Sequence, residues 1–225
     1  MITGIIPAAG MGTRWGNFTK ELLPFGDNYW LIDYCIDAML LGEVDRICII
    51  SSPEKINTHV QHFLKDKYKD IDIFYVIQKK GLDMWAAVEV ALPFTTEVNY
   101  FGMPDTIFNK NCFKIMKQNT DLEFIMGTFL TTRPENFGVW WDNKIVNKIS
   151  LSLTNPETIY TAWGNFLFTD NIVNLWNIKN IKTYTEAINI AIEEYGFNQA
   201  SLEYYYDFQN WDEYKKYIQE NGYEK

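Results

Sequence analysis

The chain has 225 residues, of which 47% are hydrophobic and 22% are charged. This length suits one large domain with a sizeable core, and the composition excludes a disordered acidic tail. Twenty basic residues against 29 acidic ones give a net charge of −9 at pH 7, which disfavours general binding of nucleic acid but not of a small phosphate ligand.

No segment indicates secretion or membrane insertion. The N-terminus lacks the basic start and the apolar stretch of a signal peptide, and no apolar run approaches the ~18 residues of a membrane span. The cysteines Cys35, Cys48 and Cys112 fit neither a zinc site nor a disulfide scaffold, so we expect reduced core residues in a cytoplasmic protein. His59 and His62 are predicted to lie in a surface helix, which disfavours a histidine triad or a histidine metal site.

Strands and helices alternate through the first half of the chain. Apolar residues from Ile32 onward recur with the spacing of a helix face until Gly42. Ser51 and Glu54 are spaced as a capping box, with Pro53 in the first turn of the helix that they open. Further elements are strands over residues 2–7, 44–50, 71–77 and 98–102 and a helix over residues 84–92. This alternation predicts a mostly parallel sheet covered on both faces, whose ligands gather at the carboxyl ends of its strands.

Beyond Asp121 the pattern becomes mixed. Strands are predicted over residues 122–130, 137–141, 144–153, 160–168 and 202–208, with a tight turn at 142–143, and helices over residues 183–195 and 212–219. In the last strand Tyr205 is predicted to face the opposite side from Tyr204 and Tyr206. No repeat, low-complexity tract or linker divides the chain. We therefore predict a single α/β domain over residues 1–225, with a mixed, mostly parallel sheet flanked by helices.

A glycine-rich loop, Ala8-Ala9-Gly10-Met11-Gly12-Thr13-Arg14, follows the first strand, and Lys20 stands shortly before Leu22-Leu23-Pro24. A dinucleotide motif would need a glycine where Trp15 stands, and a Walker A loop would need Gly-Lys-Ser/Thr. Glycines let backbone N–H groups approach phosphate oxygens, and Arg14 and Lys20 add two cations on the same side. The loop indicates a phosphate site; the alternative is a plain strand-to-helix turn with two surface cations.

The order of strand, glycine loop, arginine and lysine before Leu-Leu-Pro resembles the nucleotidylyltransferases that activate sugar phosphates, the family of glucose-1-phosphate thymidylyltransferase and uridylyltransferase. The resemblance covers most of the chain and implies a Rossmann-like nucleotide-diphospho-sugar transferase fold. It also implies that Arg14 holds the β- and γ-phosphates and Lys20 the α-phosphate. The separation of these two residues is shorter than in the long thymidylyltransferases. Backbone groups of the loop would line the triphosphate, at Ala8, Ala9, Gly10, Met11, Gly12 and Thr13.

Two later segments are similar to the segments that carry the family's metal ligands. Residues 99–108 resemble the strand that ends in a magnesium-binding aspartate, which gives that role to Asp105; a helix cap or a turn residue is the alternative. Residues 206–214 resemble the block whose first aspartate completes the metal site, here Asp207, or else a solvated acid at a strand end. Residues 78–87 resemble the base-reading loop, with Gln78 and Gly81 at the nucleobase edge, although a solvated basic turn suits this segment equally well.

The acceptor side departs from the family pattern. Residues 137–146 and 160–168 resemble the strands of the sugar-phosphate site, where Gly138, Trp163 and Gly164 would contact the acceptor. Thr154-Asn155-Pro156 stands where the family has Glu-Lys-Pro, so the lysine that binds the sugar phosphate is missing. A lysine of the strand over residues 144–153 is a possible replacement, since its lysines share one face.

The resemblance implies a magnesium-dependent enzyme that transfers a nucleoside monophosphate from a nucleoside triphosphate to a sugar 1-phosphate. Residues 1–110 or so would bind the nucleotide, and the remainder would bind the acceptor. The expected partners are the triphosphate and a phosphorylated sugar or alcohol, with no nucleic acid polymer and no membrane, in a monomer or small homo-oligomer. Two other functions stay open. One is a cytidylyltransferase for a phosphocholine-like or other non-sugar phosphate, and the other is a non-catalytic regulatory module that binds nucleotide sugars.

Overall fold

The computed structural model describes residues 1–16, 18–79, 84–119, 121–130, 138–141, 144–147, 160–161, 164–208 and 210–223. Up to residue 117 strands and helices alternate, except at two places where one strand follows another directly. The strands are β1 (Ile2–Pro7), β2 (Pro24–Gly26), β3 (Tyr29–Trp30), β4 (Arg46–Ser51), β5 (Asp72–Ile77), β6 (Val98–Gly102), β7 (Thr106–Phe108), β8 (Phe124–Leu130), β9 (Gly138–Trp141), β10 (Lys144–Asn147), β11 (Tyr160–Thr161), β12 (Asn165–Thr169), β13 (Gln199–Ser201) and β14 (Tyr205–Asp207). The helices are α1 (Leu31–Leu41), α2 (Ile56–Phe63), α3 (Met84–Ala91), α4 (Cys112–Lys117), α5 (Asp170–Lys179), α6 (Tyr184–Tyr195) and α7 (Trp211–Asn221).

Ten of these strands form one sheet, in the order β10-β9-β11-β8-β12-β6-β1-β4-β5, with β13 paired to β8. Strands β5, β4, β1 and β6 are parallel. Strand β12 is antiparallel to both β6 and β8, and so joins the second half of the chain to the first. The predicted fold class, a mixed sheet flanked by helices, is confirmed. Two further pairs, β7 with β14 and β2 with β3, lie outside this sheet.

The central strands are buried on both faces, which explains why they are continuous apolar runs. Ile5 and Ile6 of β1 are both fully buried but point to opposite sides. Ile5 packs in a cluster with side chains of α3, α5 and α6, whereas Ile6 packs with side chains of α1, α2 and α4. A third cluster, which includes Trp15, Phe208 and Tyr214, fastens α7 and the β7–β14 pair beside the glycine-rich loop.

The start of α2 differs from the prediction. The helix begins at Ile56 after Lys55, which makes no side-chain cap, so the predicted capping box of Ser51 and Glu54 is wrong. Ser51 is instead the last residue of β4, with its hydroxyl 2.8 Å from Nδ1 of His59. His59 and His62 lie in a helix, α2, as predicted, but both are buried rather than on the surface. Each imidazole has a buried carboxylate partner, Glu21 for His59 and Asp33 for His62.

Several segments of the second half also differ from the prediction. The strand predicted over residues 160–168 is two strands, β11 and β12, which lie on either side of β8. Of the strand predicted over residues 202–208, only Tyr205–Asp207 forms a strand, β14, and it pairs with β7 outside the large sheet. The strand that joins the large sheet here, β13, ends before residue 202 and was not predicted. Helix α6 begins after Thr183, whose side chain accepts a hydrogen bond from the Glu186 amide, close to the predicted start. The tight turn predicted at residues 142–143 lies outside the described residues.

Two further predictions concern single residue types. Cys35, Cys48 and Cys112 are free thiols in the core, as expected. Tyr205 packs inward on Phe129, with ring centroids 4.6 Å apart, while its two tyrosine neighbours are exposed. No helix in the described part of the chain is long and apolar enough to cross a membrane.

Candidate active site

A pocket of about 690 Å³ lies at the carboxyl end of β1. Strand β1 runs between β4 and β6 in the centre of the parallel part of the sheet, so the loop that follows it opens onto the edge where such sheets bind ligands. The glycine-rich loop forms one wall of the pocket, through Ala8, Gly10, Gly12 and Thr13. The other two members of the predicted loop set, Ala9 and Met11, are in the same turn but do not line the pocket.

The structure explains the two glycines of this loop in different ways. Gly12 has a φ of +57°, and a Cβ there would collide with the carbonyl oxygen of Phe18, so only glycine fits. Gly10 has no such backbone conformation, and a Cβ there would meet nothing within 4 Å. The fold therefore requires glycine at position 12 but not at position 10. At Gly10 the missing side chain leaves open pocket space directly over the backbone.

Two carboxylates converge on one lysine at the pocket wall. Nζ of Lys20 is 3.0 Å from Oδ2 of Asp105 and 3.0 Å from Oδ1 of Asp207, and the three side chains are between 14% and 23% exposed. Because both oxygens contact the same nitrogen, they lie no more than twice that distance apart. The register of β7 with β14 places Asp207 opposite Thr106, the residue after Asp105, and so holds the two acids side by side.

The charge balance of this group favours a cation between the acids. Burial on its own lowers the pKa of the Lys20 ammonium, but the charges and hydrogen bonds of Asp105 and Asp207 outweigh it, so the pKa is raised above its ordinary value. Burial also raises the pKa of the Tyr205 phenol beside them, although a hydrogen bond with Thr106 lowers it; the net direction is well above the ordinary value. The pocket thus holds a permanent ammonium, two acids and a neutral phenol.

The two acids fit a divalent metal ion. Oδ1 of Asp105 is buried and has no hydrogen-bond partner among the described residues, although buried carboxylate oxygens are normally paired. Carboxylate oxygens are the ligands that Mg²⁺ prefers, and it commonly takes one or two of them together with substrate phosphates. Within the described ranges no group of three or more acidic, histidine or cysteine side chains could hold a metal by itself, so further ligands would come from substrate or water.

The remaining predicted site residues are distributed differently. Gln78 is 5% exposed and lies outside the pocket lining, and its backbone N–H donates to the Ser51 carbonyl oxygen. Gly164 is buried, and a Cβ there would overlap the Tyr205 hydroxyl, so packing accounts for this glycine. Gly138 begins β9, which is separated from β6 by three strands and from β1 by four in the sheet order. Arg14 lies in the 3₁₀ helix Thr13–Trp15, but its side chain is outside the described part, as are Gly81 and Trp163 altogether.

Sequence reasoning missed several pocket residues. Glu21 lines the pocket and is only 4% exposed, although nothing in an apolar pattern distinguishes it from a surface acid. The first turn of α6 lines the opposite wall, and here a signal was available, since the helix start at Thr183 was predicted. The others are Pro7, Trp15, Met84, Met103, Pro104, Thr106, Tyr205 and Phe208.

Comparison with solved structures shows the same fold. A putative glucose-1-phosphate thymidylyltransferase from Bacillus anthracis, in complex with a sucrose, superposes with a TM-score of 0.83 at 19% identity, over 99% of this chain and 96% of the other. A UDP-glucose pyrophosphorylase in complex with UDP-glucose gives a TM-score of 0.77 at 18% identity, over 98% and 100%. No curated protein sequence gives a significant match. The family model described as nucleotidyl transferase matches residues 3–214, and the chain therefore belongs to the nucleotidyl transferase family.

Proposed function

We propose that this protein transfers a nucleoside monophosphate from a nucleoside triphosphate to a sugar 1-phosphate, which gives a nucleoside diphosphate sugar and pyrophosphate. The observation that carries the proposal is the convergence of Asp105, Asp207 and Lys20 beside the open backbone at Gly10, in one pocket. Membership of the nucleotidyl transferase family supports the general reaction. The sugar acceptor is suggested by the names of the two structural neighbours, both of which concern glucose derivatives.

In this reaction an oxygen of the acceptor phosphate forms a bond to the α-phosphorus, and the bond from that phosphorus to the pyrophosphate oxygen breaks. No covalent nucleophile is needed, so the protein has to position two anions and neutralise their charge. The glycine-rich loop would hold the triphosphate through its backbone N–H groups, with Gly10 at the closest approach. Lys20 would turn from the acids to the α-phosphate, and Arg14 would bind the leaving pyrophosphate.

The two acids would hold magnesium. When bound, Mg²⁺ would neutralise phosphate charge and fix the triphosphate geometry. Asp105 would contribute the buried Oδ1 that otherwise has no partner in the described chain, and Asp207 the oxygen that now contacts Lys20. Tyr205 lines the same pocket, and its phenol, which stays neutral, would limit the water around the carboxylates.

Pyrophosphate release provides the test. The purified protein is incubated with each of the common nucleoside triphosphates against a panel of sugar 1-phosphates and alcohol phosphates, with and without Mg²⁺. We expect one responding pair that requires the metal. Phosphocholine belongs in the panel because Thr154-Asn155-Pro156 lacks the family's lysine. Magnesium-dependent release with phosphocholine alone would replace the sugar acceptor, and no release with any pair would leave only nucleotide-sugar binding and refute the proposal.

Variants connect the activity to the site. Asp105→Asn, Asp207→Asn and Lys20→Met each remove one charge with little change of shape, and each should lower kcat/KM about a hundredfold, the usual effect of losing one preorganised charge contact. Asp70→Asn changes an exposed acid in a turn outside the pocket lining; it is the matched control and should leave the rate unchanged. Near-normal rates in all three site variants would show that the chemistry occurs elsewhere.

A further inference from the structure

A second group of buried polar side chains lies directly behind Lys20. Glu21, Lys55, His59 and Ser51 are between 0% and 8% exposed, and we call them the anchor cluster. Nζ of Lys55 donates to both carboxylate oxygens of Glu21, at 2.9 and 3.2 Å. Nε2 of His59 is 2.9 Å from Oε1 of the same carboxylate, and its Nδ1 is 2.8 Å from the Ser51 hydroxyl.

The anchor cluster joins the segments that form the pocket. Glu21 belongs to the 3₁₀ helix Lys20–Leu22, and Ser51 ends β4. Nζ of Lys55 also lies 3.4 Å from the carbonyl oxygen of Ala8, the residue with which the glycine-rich loop leaves β1. The loop, the neighbouring strand and the segment that carries the pocket lysine are therefore linked through one carboxylate.

Lys20 and Glu21 are consecutive in the chain, but their side chains bind two different groups of oppositely charged partners. The ammonium of Lys20 lies between Asp105 and Asp207, while the carboxylate of Glu21 lies in the anchor cluster. The backbone between them is thus held from both sides. When the lysine leaves the two acids for a phosphate, the glutamate still links this segment to the glycine-rich loop through Lys55.

Stability alone is a poor reason for such a cluster. Taking charges out of water is costly, and apolar side chains of similar volume often stabilise a buried position equally well or better. A network with directed hydrogen bonds, in contrast, fixes one arrangement of the segments that it joins. We propose that Glu21, held by Lys55 and His59, is a positioning residue that sets Lys20 and the glycine-rich loop for the nucleotide's phosphates. This inference rests on the proposed function and adds a role to residues outside the predicted site.

The chain contains a matched comparison for the experiment. Asp33 is a fully buried carboxylate that accepts from Nε2 of His62 at 2.8 Å, from the Tyr68 hydroxyl and from the Trp30 amide at 3.0 Å. It therefore resembles Glu21 in burial and in having a histidine of α2 as partner, yet none of these residues lines the pocket. Asp33→Asn measures what the loss of a buried charge costs without touching the pocket.

The test compares Glu21→Ala, Glu21→Gln and Asp33→Asn. For each we measure thermal unfolding, kcat, separate KM values for the triphosphate and the acceptor, and binding of inorganic tripolyphosphate by calorimetry. We expect Glu21→Ala to lower kcat/KM for the triphosphate tenfold to about a hundredfold and to weaken tripolyphosphate binding, with the KM for the acceptor unchanged. Glu21→Gln should recover most of this loss because its carbonyl oxygen still accepts from Lys55. Asp33→Asn should unfold at a lower temperature with wild-type kinetic constants.

Other outcomes decide against the inference. Wild-type kinetics and tripolyphosphate binding in folded Glu21→Ala would overturn it, and so would an equal kinetic loss in Asp33→Asn, since the effect would then follow stability. If Glu21→Ala does not fold, Lys55→Met decides by the same criteria, because it keeps the aliphatic stem and removes the link between Glu21 and Ala8. If the wild-type protein releases no pyrophosphate, the proposed function fails, while tripolyphosphate binding of the same variants still decides on the anchor cluster.

Discussion

Two substitutions in the glycine-rich loop distinguish the requirement of glycine for folding from its requirement for phosphate binding. Gly12→Ala puts a side chain at a φ of +57° and into the Phe18 carbonyl oxygen. Gly10→Ala puts the same methyl group into open pocket space with ordinary backbone angles. The two substitutions are chemically identical and only two residues apart, so a difference between their effects reports the local structure.

The expected magnitudes follow from this geometry. An alanine in the left-handed region lowers the free energy of unfolding by about 1–2 kcal/mol, and the structural shift needed to avoid the Phe18 carbonyl oxygen lowers it further. For a chain of this size that corresponds to a decrease in Tm of about 2–8 °C. Gly10→Ala should leave Tm unchanged or raise it slightly, because alanine has less freedom than glycine in the unfolded chain. If phosphate oxygens approach the backbone here, it should nevertheless raise the KM for the triphosphate about tenfold or more, as one added methyl group in a close contact does.

Calorimetric unfolding and pyrophosphate release measure both effects on the same preparations. An undiminished Tm in Gly12→Ala would show that the described loop conformation is not the one in solution. A wild-type KM in Gly10→Ala would show that the triphosphate does not contact this part of the loop, and the phosphate-binding role of the open space would have to be abandoned. A lower Tm in Gly10→Ala would contradict the free space found around that residue.

Three further predictions concern other parts of the molecule. Without nucleotide, Lys20→Met should bind Mn²⁺ at least about tenfold more tightly than the wild-type protein in electron paramagnetic resonance titrations, because a competing ammonium leaves the two carboxylates; equal affinity would mean that the metal binds elsewhere. Gly164→Ala should unfold at a lower temperature because its Cβ overlaps the Tyr205 hydroxyl, and the added change Tyr205→Phe should restore part of the loss, whereas an additive double variant would exclude this contact. The three buried cysteines should react with an aromatic disulfide reagent only after unfolding, since burial raises the pKa of each thiol, for Cys48 to about 12; rapid reaction of the native protein would disagree with their burial.

The parallel half of the sheet could be predicted because its signal is local. Strands β1, β4, β5 and β6 are short apolar runs separated by amphipathic helices, and a strand buried on both faces needs no other signal. Strand β7 and helix α4 were not predicted, since three and six residues are too few to show a period. Short elements of this kind are determined by the partners against which they pack.

The histidines show a different limit. Polar residues at helical spacing indicate a surface helix unless a buried partner exists, and the partners of His59 and His62 come from distant segments. One is Glu21 in a 3₁₀ turn and the other is Asp33 in α1, neither of which carries a local sign of burial. A pattern that counts only apolar residues therefore assigns a buried charged network to the surface, which is why the anchor cluster was not predicted.

In the candidate site, some features have a local sequence signal and others depend on distant partners. Residue type and position in a motif were enough to single out Asp105, Asp207 and Lys20, but their distances depend on a strand pair that the sequence did not reveal. Because β14 runs antiparallel to β7 with Asp207 opposite Thr106, a shift of this pair by one residue would turn one acid away from the lysine. The third hydrophobic cluster, through Phe208 and Tyr214, holds that register from the side of α7. Packing remote from the chemistry thus sets the separation of the two carboxylates. Substitutions in this cluster should therefore weaken metal binding more than they change the conformation of the glycine-rich loop.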